Sequence, residues 1–236
     1  MKIGVFIGSA PMSFGEPNTT TELVDDAWGQ PSEPPTSYQI HGVECLVISR
    51  HGPKGDVSPH NVNYRANIWQ MHKAGVDCII GTHTVGSIDP SLDVGALVIP
   101  EDLIDYTWGR PSTYDDERRH IEFTQPYDQE LQQKIVRTNS QVILGGVYGC
   151  TQGPRLETPA EIRRMGQDGC TLVGMTGMPE ASLARELSIP FVSVCLVVNP
   201  AAGVVPGEVD MEALRQTSEQ GARDFVSLIE AFCLEH

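Results

Sequence analysis

Basic residues are scarce in this 236-residue chain: 16 Lys and Arg stand against 31 Asp and Glu, a net charge of −15 with His neutral. A field of that sign repels nucleic-acid phosphate and anionic lipid, so both are excluded as expected partners. Long apolar runs are missing as well. No window reaches the roughly 18 consecutive apolar residues of a membrane span. The opening stretch, Met1 to Gly8, is a short apolar strand without the cleavage pattern of a secretory leader, so a cytosolic protein is expected. The six cysteines (Cys45, Cys78, Cys150, Cys170, Cys195, Cys233) form no C-x-x-C pair. That removes the usual zinc and dithiol patterns and leaves reduced, buried thiols, with no metal expected. Internal repeats and low-complexity tracts are absent too. The first turn, Ile7-Gly8-Ser9-Ala10-Pro11, has one glycine where a dinucleotide or P-loop fingerprint needs two or three.

What is present is the balance of a globular protein, 40% hydrophobic and 20% charged. Short apolar runs at Ile3–Ile7, Cys45–Ile48, Cys78–Ile80, Ala96–Ile99, Val142–Leu144, Thr171–Val173 and Phe191–Val198 read as buried strands. Helical patterns fall at Asn63–Ala74, Tyr127–Thr138, Pro159–Gln167, Pro179–Leu187 and Val209–Phe232. Their alternation predicts an α/β domain with a mostly parallel sheet. The Pro/Gly/Ser-rich stretch Gly29–Ser37 reads as a surface loop, so residues 1–233 are expected to form a single domain. Leu234-Glu235-His236 resembles the stub of a cloning tag and is left out of functional reasoning.

In α/β proteins ligands bind beyond the carboxyl ends of strands, and several strand ends here carry suitable chemistry. Ser49-Arg50-His51-Gly52 offers a guanidinium fork and an imidazole, donors matched to phosphate. Gly81-Thr82-His83-Thr84-Val85-Gly86-Ser87 reads as a small-residue loop with N–H groups and hydroxyls free for an oxyanion. Thr151 to Glu161 places Glu157 just ahead of a helix, Val173 to Glu180 is another strand-to-helix loop, and Val197 to Gly203 ends an apolar strand on Asn199-Pro200. Each has an ordinary alternative: a tight turn, a helix cap, an Asx turn or packing methionines.

Taken together, Ser49–Gly52, Val62–Trp69, Tyr148–Thr158, Gly174–Glu180 and Val197–Gly203 resemble the trimeric purine nucleoside phosphorylase and methylthioadenosine phosphorylase family, and within it the bacterial S-methyl-5′-thioinosine phosphorylases. The resemblance runs from Ile3 to the final helix. It implies a three-layer α/β/α sandwich around a central, mostly parallel mixed sheet. It also implies phosphorolysis, in which inorganic phosphate attacks the anomeric carbon of a purine nucleoside with no organic cofactor or metal. Matched position by position, Ser9, Arg50, His51, Thr84 (through its N–H) and Thr176 would hold phosphate, with His83 as an added titratable contact. Met175 would lie against the ribose, and Asn199, beside Pro200 and Ala201, would meet the base. Asn199 and His51 are the residues to which the resemblance assigns catalysis. His120 would be lent to the neighbouring subunit of a homotrimer. The family's Gly-Gly-Thr-Gly turn is here Ile7-Gly8-Ser9-Ala10, which restricts positive-φ conformations and is expected to alter the phosphate loop.

The residue types fit that chemistry. An oxocarbenium-like transition state calls for an anion held below the sugar and for stabilisation of charge developing on the purine. Asn199 can donate to N7 or O6, and Glu157 can accept from N1–H, a match to hypoxanthine rather than adenine. Where methylthioadenosine phosphorylases commonly have Asp, this chain has Asn199, which supplies no proton. Apolar Val209 favours a 5′-methylthio group over a hydroxyl. The alternatives are a methylthioadenosine or general 6-oxopurine nucleoside phosphorylase, and, in a different class, a phosphate-independent nucleosidase or a nucleoside-binding protein.

Overall fold

In chain order the strands are β1 (Lys2–Ile7), β2 (Thr19–Thr20), β3 (Thr36–Ile40), β4 (Val43–Ser49), β5 (Cys78–Ser87), β6 (Leu97–Ile99), β7 (Asp102–Asp105), β8 (Ile143–Leu144), β9 (Val147–Cys150), β10 (Leu172–Gly174) and β11 (Phe191–Pro200). The helices are α1 (Tyr64–Lys73), α2 (Gln129–Thr138), α3 (Pro159–Gln167), α4 (Gly177–Glu186) and α5 (Met211–Leu234). The computed structural model describes residues 1–20, 28–109, 111–114 and 117–236.

Because side chains alternate across a strand, each apolar run feeds two cores. From β1, Ile3, Val5 and Ile7 enter one core and Phe6 the other; from β4, Val43, Cys45 and Val47 oppose Leu46 and Ile48. β11 divides in the same way, Val192, Val194, Leu196 and Val198 against Phe191, Cys195 and Val197. The first core is covered by Leu131 and Ile135 of α2 and by Phe225, Leu228 and Phe232 of α5. The second is covered by Ile68 and Met71 of α1 and by Ala181, Leu183 and Ala184 of α4. Helices on both faces of one mixed sheet make the expected three layers. A smaller cluster under α3 joins Ile162 and Met165 to Val173 and Ala201.

Strand order along the main path is β2-β3-β4-β1-β5-β10-β9-β7, with β11 pairing β5 and β6, and β8 pairing β6. β1 runs parallel to β4 and β5, while β10 meets β5 antiparallel. Four of the five helices among the described residues, all but α4, begin where a side chain caps them. Asn63 accepts from the Ala66 N–H, Asp128 from that of Leu131, and Asp210 from those of Glu212 and Ala213. Thr158 and Glu161 form a reciprocal capping box. Such caps are each worth about 1 kcal/mol, and they set helix starts at or within two residues of those expected. α5 extends through Leu234, and the His236 ring packs on Phe232, 4.6 Å between centroids.

One expectation is corrected. Gly81–Ser87 is not a loop but the second half of β5, which pairs with β11 from Ile79 to Ser87. Its Gly, Thr and His content hid a strand whose register β11 supplies. β1 stops pairing at Gly81 and β10 takes over only at Gly86. Between them, among the described residues, one backbone edge of β5 is left without a strand partner, and there the cavity opens.

Candidate active site

Five strands converge on one cavity. Gly8 and Ser9 follow β1, His51 follows β4, His83 to Gly86 belong to β5, Gly174 to Thr176 join β10 to α4, and Val198, Asn199 and Ala201 close β11. Glu157, Leu156, Val209 and Leu214 complete the wall. Of the residues expected from sequence, Ser9, His51, His83, Thr84, Met175, Thr176, Asn199, Ala201, Glu157 and Val209 are brought together. The turn from Ile7 to Ala10 carries no positive φ. The missing family glycines therefore cost no backbone strain here, and Ala10 packs into the core at 1% exposure.

Arg50 is placed differently from expectation. It is fully buried and does not line the cavity; Nε donates to Glu180 Oε1 at 2.7 Å, Nη2 to Glu180 Oε2 at 2.8 Å and Nη1 to the Thr82 carbonyl at 2.6 Å. A planar fork matches a carboxylate bidentately, and Glu180, in the first turn of α4, supplies one. Burial works against the Arg50 guanidinium, but the Glu180 charge and hydrogen bonds outweigh it and hold its pKa above the ordinary value. Burial likewise pushes the Glu180 carboxyl up, against the pull of Arg50. Arg50 and the Thr82 carbonyl lie directly under the Gly8 backbone. A Cβ at Gly8 would meet the Thr82 carbonyl oxygen at 2.8 Å and Arg50 Nη1 at 3.0 Å, so only glycine lets the loop settle there.

His51 has a defined tautomer. Its Nδ1 sits 2.8 Å from the Val57 carbonyl; a carbonyl only accepts, so Nδ1 carries the proton and the neutral ring keeps its lone pair on Nε2. Burial, reinforced by the Arg50 charge, holds its pKa below the ordinary value. His83, expected as a titratable phosphate contact, is corrected. Both its nitrogens are engaged by protein, Nδ1 with Thr176 Oγ1 at 2.8 Å and Nε2 with Ser193 Oγ at 3.2 Å. Burial first, then Arg50 and His51, push its pKa well down, so the ring is neutral.

At the other end of the cavity, β11 changes register against β5 between Val197 and Asn199. Such a bulge re-aims the side chain that follows it. The Asn199 Nδ2 donates to the Pro200 carbonyl at 2.7 Å, leaving its second N–H and its oxygen available. Glu157 accepts from Thr151 Oγ1 at 2.6 Å through one oxygen and keeps the other free, while Thr158, not Glu157, caps α3. Besides Arg50, two expected residues stay apart. Pro200 lines an adjoining depression with Val94 and Val205, and His120 is exposed and outside the cavity of a single chain.

Sequence reasoning missed Glu180 as the partner of Arg50, Ser193 and Tyr148 behind His83, and Leu214 beside Val209. Glu180 lies 130 residues from Arg50, and nothing local marks the pair. Tyr148 is signalled only by its glycine neighbours. The Thr176 and Gly177 N–H groups both reach its hydroxyl at 3.4 Å, and a Cβ at Gly174 would meet that oxygen at 2.2 Å. Among the described residues no cluster of three or more His, Cys, Asp or Glu could hold a metal ion, and no helix is long and apolar enough to cross a membrane.

Strand-end hydroxyls and imidazoles stand at one end of the cavity and an amide and a carboxylate at the other, and the fold that carries them is shared. The methylthioadenosine phosphorylase of Schistosoma mansoni in complex with adenine superimposes with a TM-score of 0.91 over 98% of this chain and 90% of that one, at 22% identity. The family model described as Phosphorylase superfamily matches residues 3–233, and the chain belongs to that family. Relatives include the probable S-methyl-5′-thioinosine phosphorylase of Methanothermobacter thermautotrophicus, 44% identical over 82% of this chain and 69% of the relative. The protein of the same name from Thermodesulfovibrio yellowstonii is 38% identical over 93% and 85%. The 6-oxopurine nucleoside phosphorylase of Pyrococcus furiosus is 36% identical over 97% and 90%.

Proposed function

We propose that this chain catalyses phosphorolysis of S-methyl-5′-thioinosine, giving hypoxanthine and 5-methylthioribose 1-phosphate. One observation carries the reading: a single cavity joins His51 and Thr176, at its buried end, to Asn199 and Glu157, with apolar Val209 and Leu214 on the same wall. Phosphate enters at the first end, and one of its oxygens bonds to the anomeric carbon. The C1′–N9 bond breaks, its electron pair passes to the purine, and a proton from phosphate ends on the base. Asn199 steadies the departing base by hydrogen bonding, and Glu157 accepts from N1–H. Holding phosphate aligned with the sugar removes orientational entropy, a contribution of roughly 7–11 kcal/mol at good geometry.

The remaining assignments belong to the same proposal. Residues 1–233 act as one domain, inorganic phosphate is the co-substrate, no organic cofactor or metal takes part, and the protein works in the cytosol. The active form is a homotrimer in which the exposed His120 reaches a neighbour's site. Phosphate omission tests the core of it. Hypoxanthine release from S-methyl-5′-thioinosine should require phosphate and exceed adenine release from S-methyl-5′-thioadenosine. Unchanged turnover without phosphate would make the protein a nucleosidase, and binding without turnover a nucleoside-binding protein.

A further inference from the structure

Resting on that phosphorolysis reading, we propose that His83 is a positioning residue that turns the Thr176 hydroxyl into a hydrogen-bond acceptor, so that the site takes phosphate as its monoanion. The argument starts from the buried side of the ring. His83 Nε2 faces Ser193 Oγ at 3.2 Å and the Glu180 carboxylate oxygen Oε2 at 4.0 Å. An N–H directed there is attracted by the carboxylate, whereas a lone pair is repelled, so the ring proton belongs on Nε2 and Nδ1 is a bare acceptor. Nδ1 sits 2.8 Å from Thr176 Oγ1. The Thr176 proton therefore points at His83, and the oxygen presents lone pairs to the cavity it lines.

The second acceptor is His51 Nε2, fixed by the Nδ1 bond to the Val57 carbonyl. Two acceptors in one anion site ask for two donors on the anion. Dihydrogen phosphate has two P–O–H groups; the dianion has one. The balance also closes for the reaction: one of these protons leaves on the purine, which Asn199 cannot protonate, and the other stays on the sugar phosphate.

The charged and titratable groups around this pair are few. His83 is faced by Glu180 of α4, by Arg50 beyond it, and by Tyr148 of β9, whose ring centroid is 5.7 Å away. Near His51, the adjoining depression is lined by Lys54, Asp56, Arg215 and Glu219. Burial lowers the basicity of both histidines, so both remain neutral acceptors in the neutral range.

The test is phosphate kinetics over a range from mildly acid to mildly alkaline pH, with S-methyl-5′-thioinosine saturating. In the unaltered protein kcat/KM for phosphate should fall on the alkaline side as the monoanion disappears, and sulfate, which carries no proton, should compete at least about tenfold more weakly than phosphate at acid pH. His83→Leu frees the Thr176 proton to donate; the KM for phosphate should rise about tenfold at acid pH, with kcat moving less, and the alkaline limb should flatten. His83→Asn, whose side-chain oxygen sits near the place of Nδ1, should restore both. An unchanged KM and limb in His83→Leu would overturn the proposal. If that variant does not fold, sulfate competing as well as phosphate against the unaltered protein overturns it. Turnover without phosphate would instead sink the phosphorolysis reading itself.

Discussion

The two ends of the cavity are built on opposite terms. Behind the inner end Arg50 and Glu180, and in its wall His83, are at most 1% exposed and Thr176 is 8% exposed, and each is held by polar partners within the protein. At the outer end Asn199, Glu157 and Val209 are half-buried; Asn199 and Glu157 each keep polar atoms free, and Val209 has none to offer. The inner end is therefore part of the core as well as part of the site, and changes there should register first in stability. The outer end has little structural duty, and changes there should register in substrate choice.

The largest expected effect is at the inner end. Glu180→Ala leaves the Arg50 charge buried and unpaired, which costs about 3–5 kcal/mol. Chemical denaturation should show that loss, and joint replacement of Arg50 and Glu180 by Met and Leu should recover much of it. A Glu180→Ala protein that unfolds at the unaltered midpoint would erase the contrast between the two ends. Next in size is Asn199→Asp, which gives the outer end a carboxyl able to donate to N7 and accept from a 6-amino group. The ratio of hypoxanthine to adenine release should shift tenfold to a hundredfold toward adenine, about 1–3 kcal/mol, with the thermal midpoint nearly unmoved. Glu157→Gln should cut 6-oxopurine turnover in the same direction by about tenfold.

A smaller effect comes from acid. His83 and His51 are less basic in the folded chain than the ordinary 6.5. Unfolding therefore takes up protons once the pH drops below that value, so stability is fully present above it and is lost as the pH falls from there toward the folded-state values. Each histidine contributes at most about 1.4 kcal/mol per pH unit in that window. Thermal midpoints of the unaltered protein and His83→Asn, measured from neutral pH down through the window, should converge as the pH falls. Parallel curves would mean His83 is as readily protonated folded as unfolded.

How much of this was legible beforehand follows the same division. Strands and helices whose apolar period is strong, such as Ile3–Ile7 and Pro159–Gln167, could be read directly, and Asn199 and Glu157, singled out by the chemistry of their own side chains, do line the cavity. Arg50 and His83 stand out in the sequence, but their roles do not. Those roles are set by Glu180 and Ser193, 130 and 110 residues away, and a distant partner decides whether a donor faces a ligand or the protein. The second half of β5 was missed for a related reason. Gly81–Ser87 has the composition of a loop, and only pairing with β11 makes it a strand.

The smallest effect tests whether the outer end is tuned by polarity alone. Val209→Thr keeps the shape of the side chain and adds one hydroxyl to a wall that otherwise shows Leu214 to the ligand. If this wall meets the 5′ substituent, the new hydroxyl is left without a partner beside a methylthio group but finds one in a 5′-hydroxyl. The net worth of such a hydrogen bond is about 1 kcal/mol, close to a fivefold change. Inosine should then gain on S-methyl-5′-thioinosine by about that factor in kcat/KM, with the KM for phosphate unchanged because the inner end is untouched. Equal losses on both nucleosides would place the 5′ group elsewhere, and a raised KM for phosphate would show that the two ends are not independent.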